Sequence, residues 1–187
     1  MTDPIEAAAR SIARGELVVY PTDTLYGLGA RATERAAVER LYRAKQRPTD
    51  LPVSIAVSSL EEVEPWVALT RPMRAYLRRA LPGPFTLLLP PSRLARRRLA
   101  PELVGAAGTV AVRVPDHPVA RELARRAGPI TCTSANRHGE PNPTGLRDVR
   151  RALGTAVSTY LGGHPRPSGR GSRIIDLTTS VPSVLRS

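Results

Sequence analysis

A single lysine, Lys45, stands among 27 arginines in this chain of 187 residues. It lies in the segment YRAKQRP, two residues before Arg47. Lysine is a compact point charge on a flexible stem that can reach one phosphate oxygen, whereas arginine is a planar fork. The near absence of lysine indicates a genome-wide coding bias toward arginine. A lysine that is retained despite this bias is expected where a guanidinium cannot replace an ammonium. Lys45 is therefore a candidate phosphate ligand, with chance survival and compensation of a helix C-terminus as the alternatives.

A second polar segment, TCTSAN at 131–136, ends an apolar run with small hydroxyl and amide side chains. Ser134 and Asn136 could line a phosphate or nucleotide site. Ser134 is a poor candidate for a nucleophile because the G-x-S-x-G pattern is absent. The segment therefore indicates binding rather than nucleophilic catalysis.

Cys132 and the three histidines, His117, His138 and His164, allow two further hypotheses. The cysteine could pair with a histidine in a thiol hydrolase, but a lone cysteine on a buried strand is more often part of the core. The histidines lack the H-x-x-x-H spacing of a zinc site. We therefore predict no metal ligands.

Arg113 alternates with Ala111, Val112 and Val114 on a segment that otherwise reads as a buried strand. Because arginine is rarely buried without a partner, it needs an anion. Either a structural carboxylate such as Asp116 or the carboxylate of a ligand could supply that charge.

The glycines of YPTDTLYGLGA, residues 20–30, raise the question of a nucleotide-binding loop. Residues 27–32 match G-x-G-x-x-A, but six residues separate Tyr20, at the end of the predicted strand, from Gly27. The dinucleotide fingerprint needs its glycines directly after the strand. A tight turn is the simpler interpretation, and a Walker A loop is excluded because Lys45 lies between Ala44 and Gln46.

Helical and strand patterns alternate along the chain, which predicts an α/β fold built on a twisted mixed sheet with flanking helices. A helix is expected at the N-terminus and one at 33–45 with Thr33 as its N-cap. The other predicted helices are at 71–81, 117–128 and near 146–153. The predicted strands are at 16–21, 51–59, 85–90, 109–115, 129–134, 157–161 and 173–177. Residues 162–172, rich in Pro and Gly, are expected to be a linker or a lid over a site.

Composition limits the class of protein. The net charge of +12 favours an anionic partner such as nucleic acid or a nucleotide. The run from Arg96 to Arg98 is either an RNA contact or a solvated face. We expect one domain over 1–187, no signal peptide, no membrane span, and a cytoplasmic location consistent with a single cysteine.

Five motifs in this order, PTDTLYGLGA, KQRP, PGPFTLLLP, AVRVPDHP and TSAN, resemble those of the YrdC/Sua5 family, the L-threonylcarbamoyladenylate synthases. The resemblance implies a YrdC-like α/β fold with a basic concave cleft. It also implies a nucleotidyltransferase that makes threonylcarbamoyl-AMP and pyrophosphate from L-threonine, bicarbonate and ATP. The product would serve the threonylcarbamoyl modification of tRNA (t6A37), with other t6A-modification proteins as partners and a possible tRNA contact through the basic surface.

The resemblance also assigns roles to particular residues. Lys45 and Arg47 would be the catalytic pair that holds ATP phosphates, and Thr24 and Arg113 would bind threonine. The remaining ATP contacts implied are Thr109, Ser134, Asn136, Asn142, Ser172 and Arg186. The reaction needs alignment and charge neutralisation more than a strong base, with Mg²⁺ as the counter-charge of the phosphates.

The chain departs from the family pattern at three positions. Leu51 and Ala56 stand where some members have asparagine and histidine, and Arg173 replaces the threonine of a Ser-Thr pair. The chain resembles the short form of the family, without the C-terminal domain of the long members. A carbamoyl-adenylate domain of hydrogenase maturation proteins and a non-catalytic RNA-binding module of the same fold are the alternatives.

Overall fold

Apolar runs form the strands of a nine-stranded mixed sheet and amphipathic segments form the helices in the computed structural model, which describes residues 3–186. The helices are α1 Pro4–Ala13, α2 Arg35–Lys45, α3 Arg71–Ala80, α4 Arg93–Arg98, α5 Pro118–Ala127 and α6 Leu146–Leu153. The strands are β1 Val18–Pro21, β2 Tyr26–Gly29, β3 Ser54–Ala56, β4 Phe85–Leu89, β5 Val110–Arg113, β6 Ile130–Ser134, β7 Thr159–Tyr160, β8 Arg173–Asp176 and β9 Ser183–Arg186. The prediction of an α/β fold on a mixed sheet with flanking helices is confirmed.

The strand order across the sheet is β7-β1-β2-β6-β3-β5-β4-β8-β9. Three pairs are parallel, β1 with β7, β3 with β5 and β4 with β8. The other five neighbours are antiparallel. This order brings the C-terminal end of β6 beside β2, although about a hundred residues separate them, so motifs distant in the sequence meet along one part of the sheet.

Strand β1 shows how the sheet divides the core. Val18 and Tyr20 pack in one buried cluster with Ile12 of α1 and Leu123 of α5. Val19 packs in a second and larger cluster with Leu41 of α2. Because successive side chains of a strand point to opposite faces, helices cover both faces of the sheet.

The paired glycines of the first motif belong to strand β2 rather than to a turn or a phosphate loop. An added Cβ would lie 3.0 Å from the Tyr20 ring at Gly27 and 2.9 Å from it at Gly29. Both positions therefore leave room for a buried aromatic ring on the neighbouring strand β1. The interpretation as a tight turn was wrong, because glycine has low strand propensity and hid the alternating pattern.

Further differences lie at element ends. Helix α2 begins after Glu34, and no side chain caps it, so the expected Thr33 cap is wrong. Helix α4 and strand β9 had no predicted counterpart, since an arginine run and a four-residue edge strand have weak periodic signals. Within residues 3–186, no helix is long and apolar enough to cross a bilayer.

Candidate active site

A cleft of about 420 Å³ opens where the β1–β2 turn, β3, β5, the end of β6, β8 and β9 meet. Its polar lining consists of hydroxyl groups, one thiol, one amide and three guanidinium groups. These side chains are Thr22, Thr24, Tyr26, Ser54, Thr86, Thr133, Ser134, Ser172, Cys132, Asn142, Arg47, Arg113 and Arg186. No carboxylate is among the described residues that line it. The cleft is therefore suited to an anionic ligand.

Arg113 of β5 is 4% exposed and lies at the cleft with an ion-pair partner. Its Nη2 donates to Asp23 Oδ1 at 2.7 Å. Sequence reasoning correctly required an anion, but the structural carboxylate is Asp23, whereas Asp116 is exposed. The position of Asp23 in a polar turn next to Thr24 was the signal that could have identified it.

Thr22, which sequence reasoning did not select, fixes the β1–β2 turn. Its Oγ1 donates to Leu25 O at 2.6 Å and accepts from the amides of Thr24 and Leu25 at 3.2 Å. The Thr24 hydroxyl lies 3.0 Å from Thr22 Oγ1. The turn therefore places the Thr24 hydroxyl against Thr22 and at the cleft, where a ligand can reach it.

Arg47 reaches the cleft because the chain turns sharply at the end of α2. Gln46 adopts the left-handed conformation at φ 50° and ends the helix. The Arg47 side chain is then held by Leu51 O, to which its Nε donates at 2.9 Å. Its Nη1 lies 3.4 Å from His138 Nδ1. Its Nη2 donates to Pro52 O at 3.4 Å, so protein atoms contact each nitrogen of the guanidinium while the residue lines the cleft.

Lys45 is 2% exposed and is not among the residues that line the cleft. Its Nζ donates to Ser134 O at 2.5 Å and to Asn136 O at 2.6 Å. Burial, with a smaller effect from the charge of Arg47, lowers the pKa of Lys45 to about 8. In this structure the ammonium therefore fastens the loop at 134–136 to the end of α2.

The same loop is fixed by its own side chains. Ser134 Oγ donates to Asn136 Oδ1 at 2.6 Å, and Asn136 Nδ2 donates to Glu140 O at 2.6 Å. The amide of His138 donates to Lys45 O at 2.7 Å. Ser134 faces the cleft, whereas Asn136 is buried and acts within the loop.

Arg186 of β9 and Ser172 close the far side of the cleft. Arg186 Nε and Nη2 donate to Ser172 O at 3.0 and 2.7 Å, and Ser172 Oγ lies 2.8 Å from Thr86 Oγ1. Burial, followed by the charges of Arg113 and Arg47, lowers the pKa of Arg186. The three arginines therefore converge closely enough to influence one another across the cleft.

The structure brings most of the predicted site residues together. Those lining the cleft are Thr24, Arg47, Arg113, Ser134, Asn142, Ser172 and Arg186. Lys45 and Asn136 lie directly behind it. Thr109 is not among the lining residues, and its carbonyl accepts from Gly105 N at 2.9 Å just before β5. Asn142 also borders a second cavity of about 470 Å³ beside α6.

The hypotheses of a thiol hydrolase and of a metal site find no support in the described part of the chain. Cys132 makes no hydrogen bond to a histidine there, and both ring nitrogens of His117 bond to backbone atoms of Val119 and Pro165. No cluster of three potential metal-binding side chains occurs within residues 3–186.

Residues 162–172, called the strap from here on, run over the β1–β2 turn toward the cleft. Ser168 N donates to Asp23 O at 3.2 Å and Gly169 N donates to Thr24 O at 2.8 Å. Gly171 and Ser172 line the cleft at the end of the strap. Of the two interpretations given by the sequence, the contacts favour a covering segment over a free linker.

A family model and individual curated relatives both match this chain. The model of the Sua5/YciO/YrdC family, whose description is telomere recombination, matches residues 10–187. Among curated relatives, a Chromohalobacter salexigens protein named threonylcarbamoyl-AMP synthase is 41% identical over 171 residues, covering 89% of this chain and 90% of that protein. A Pyrococcus abyssi protein of the same name is 39% identical and covers 97% of this chain, but this chain spans only 53% of its length.

A solved structure extends the likeness to the fold. Pyrococcus abyssi Sua5 complexed with L-threonine superimposes with a TM-score of 0.89 at 36% identity. The match covers 97% of this chain and 53% of that protein. The chain thus corresponds to about half of this long relative, and to nearly all of the shorter one.

Proposed function

This chain belongs to the Sua5/YciO/YrdC family, and on that basis we propose that it is a threonylcarbamoyl-AMP synthase. It forms threonylcarbamoyl-AMP and pyrophosphate from L-threonine, bicarbonate and ATP. The observation that carries the proposal is the convergence of Arg47, Arg113 and Arg186, from three separate elements, on one cleft whose lining within residues 3–186 contains no carboxylate. Such a cleft can hold an amino-acid carboxylate and a triphosphate at the same time.

Threonine would lie beside Arg113 and Thr24. The free side of the Arg113 guanidinium would take the carboxylate, while Asp23 holds its other side at 2.7 Å. The Thr24 hydroxyl would contact the amino acid from the β1–β2 turn. This arrangement fixes the amino group, whose ammonium form first loses a proton to water. The resulting amine and bicarbonate then give a carbamate and water.

The second step transfers the adenylyl group. A carbamate oxygen attacks the α-phosphorus of ATP, a new P–O bond forms, and the bond to pyrophosphate breaks. Arg47 and Arg186 would neutralise the charge that develops on the departing pyrophosphate, and Ser134, Asn142 and Ser172 would supply polar contacts to the nucleotide. No group in the cleft needs to act as a strong base.

Lys45 would act on ATP through the loop that it holds. Two of its N–H bonds go to Ser134 O and Asn136 O, so its charge lies directly behind the Ser134 hydroxyl that faces the nucleotide. Its third contact, with Asn136 Oδ1 at 3.5 Å, is the longest of the three and is the one that a phosphate oxygen would replace. Asn136 would contribute by fixing Ser134, and Thr109 by fixing the chain before β5.

Magnesium would accompany ATP. Mg²⁺ prefers oxygen ligands and keeps several waters, and the described lining residues offer hydroxyl oxygens but no carboxylate. The phosphates would therefore be its main ligands, and the arginines would bind the remaining charge. What the ion supplies is neutralisation of the triphosphate.

The tRNA contact is proposed for helix α4. Arg96, Arg97 and Arg98 are exposed on it, and no ion pair described for residues 3–186 involves them. Exposed unpaired arginines are suited to RNA phosphates. We propose that they guide tRNA, or a complex of tRNA and another t6A-modification protein, to the product.

The decisive experiment is pyrophosphate release by purified protein with ATP, bicarbonate and magnesium. L-Threonine should stimulate release well above L-serine or no amino acid, and mass spectrometry should detect threonylcarbamoyl-AMP. Arg47→Ala should abolish the stimulation, whereas Arg79→Ala, at an exposed arginine of α3, should retain it. Salt-sensitive RNA binding without threonine-dependent release would instead support a non-catalytic RNA-binding module.

A further inference from the structure

His117 lies between β5 and α5 and is only 1% exposed, although it does not line the cleft. Its Nδ1 accepts from Val119 N at 3.2 Å, so the ring caps α5. Nδ1 is therefore unprotonated, and the proton of the neutral ring is on Nε2. That Nε2 donates to Pro165 O at 2.8 Å. One imidazole thus joins the start of α5 to the strap.

The strap continues from this anchor to the turn that carries the proposed threonine contacts. Three and four residues beyond Pro165, the amides of Ser168 and Gly169 donate to Asp23 O and Thr24 O. Asp23 in turn accepts from Arg113 Nη2, and Thr24 lines the cleft. A short run of backbone therefore connects the imidazole to both side chains that would hold threonine.

Within residues 3–186, a longer bond from Ser168 Oγ to Thr24 O at 3.4 Å adds to these contacts, and little else holds this part of the strap. Arg166, Ser168, Gly169 and Arg170 are all exposed, and Pro167 is only half-buried. A segment with so little buried apolar surface opens easily unless specific hydrogen bonds retain it. The bond from His117 is the anchor at its N-terminal side, and the bond from Arg186 to Ser172 O is the anchor at its C-terminal side.

We infer that His117 is a positioning residue, which holds the strap on the Asp23–Thr24 turn and thereby sets Arg113 and Thr24 for amino-acid binding. The kinetic part of this inference rests on the proposed function. The structural part does not, because it concerns only the strap and the turn. Because Arg186 separately holds Ser172, the proposed nucleotide contact of the strap, the effect of His117 should fall on threonine rather than on ATP.

The test uses His117→Asn in the full chain. Asparagine is a favoured N-cap residue, so the variant keeps an acceptor for Val119 N but lacks the N–H that reaches Pro165 O. The matched control is Ser92→Ala. Ser92 combines the same two roles at α4, since its Oγ accepts from Ala95 N at 3.0 Å and donates to Pro65 O at 2.6 Å, away from the strap.

Two readouts separate anchoring from general stability. The first is hydrogen exchange of the Ser168 and Gly169 amides, which needs no activity, and the second is the KM for L-threonine measured against kcat and the KM for ATP. Loss of the part-buried hydrogen bond to Pro165 O predicts about tenfold faster exchange at both amides and about a three- to tenfold higher threonine KM. The KM for ATP should stay close to that of the wild type, and Ser92→Ala should change neither readout.

Unchanged exchange at Ser168 and Gly169 in His117→Asn would overturn the inference. Faster exchange with an unchanged threonine KM would also overturn it, because the strap would then be anchored without positioning anything. Failure of the wild-type protein to release pyrophosphate with threonine would instead reject the proposed function. In that case the exchange rates by themselves decide whether His117 anchors the strap.

Discussion

Arg113 Nη2 lies 2.7 Å from Asp23 Oδ1 at the base of the cleft, and each side chain keeps an unused polar atom. Within residues 3–186, neither Arg113 Nε nor Asp23 Oδ2 has a hydrogen-bond partner, although both atoms are buried. A buried ion pair is costly when its hydrogen-bonding capacity is incomplete. The pair is thus better suited to receiving a ligand with its own charges than to stabilising the fold.

Arg113→Lys is expected to weaken threonine binding while preserving the charge. A lysine can still pair with Asp23. It lacks the planar fork of N–H donors with which a guanidinium binds a second carboxylate in a bidentate manner. Loss of a charged hydrogen bond predicts a threonine KM about 10- to 100-fold higher, with the KM for ATP changed much less. Steady-state kinetics compared with Arg79→Lys, on the exposed face of α3, would check this, and an unchanged threonine KM would contradict the assignment.

Lys45 should make the stability of the protein depend on alkaline pH. Its pKa falls from 10.5 to about 8 on folding, so the unfolded chain binds more protons between these values. The cost of burying the cation is therefore present below pH 8 and is relieved as the pH rises through the folded pKa. The free energy of unfolding should gain about 1 kcal/mol from this group between roughly pH 7 and pH 9.

Lys45→Met removes the titrating group and is the reference for this measurement. Denaturant unfolding of both proteins at several pH values would give the difference in stability. That difference should shift in favour of the wild type as the pH rises. A constant difference would show that the ammonium is not desolvated as the structure has it.

Gly27→Ala is expected to destabilise the sheet. The added Cβ would lie 3.0 Å from the Tyr20 ring, which is fully buried and held by a hydrogen bond from its hydroxyl to Thr131 O at 2.9 Å. Overpacking of a core typically costs about 1–3 kcal/mol. Thermal or urea unfolding would measure the loss, and Gly145→Ala, where nothing lies within 4 Å of the new Cβ, should cost far less.

Replacing Arg96, Arg97 and Arg98 by glutamate should weaken tRNA binding without affecting pyrophosphate release. The three side chains are exposed on α4 and do not line the cleft, so substrate binding should be unchanged. The slope of log affinity against log salt concentration is negative, and each lost phosphate contact reduces its magnitude by about one. Filter binding at several salt concentrations would show this, with Arg78→Glu/Arg79→Glu on α3 as the control. Equal losses in both variants would favour a diffuse electrostatic effect.

The sequence by itself determined the alternation of elements and the residue types of the site. Short apolar strands and amphipathic helices follow from local periodicity, which requires no knowledge of the partners in space. The single lysine, the TSAN segment and Arg113 could be selected because compact cations, small polar side chains and a cation on an apolar strand are unusual at those positions.

Only the tertiary structure decided which groups these residues face. The strand order places β2 beside β6, which brings the turn at 22–25 and the loop at 134–136 to the same cleft. In the folded chain, Arg113 pairs with Asp23 rather than Asp116. Lys45 donates to two backbone carbonyls behind the cleft. Such contacts join residues about ninety positions apart, so local patterns carry no information about them.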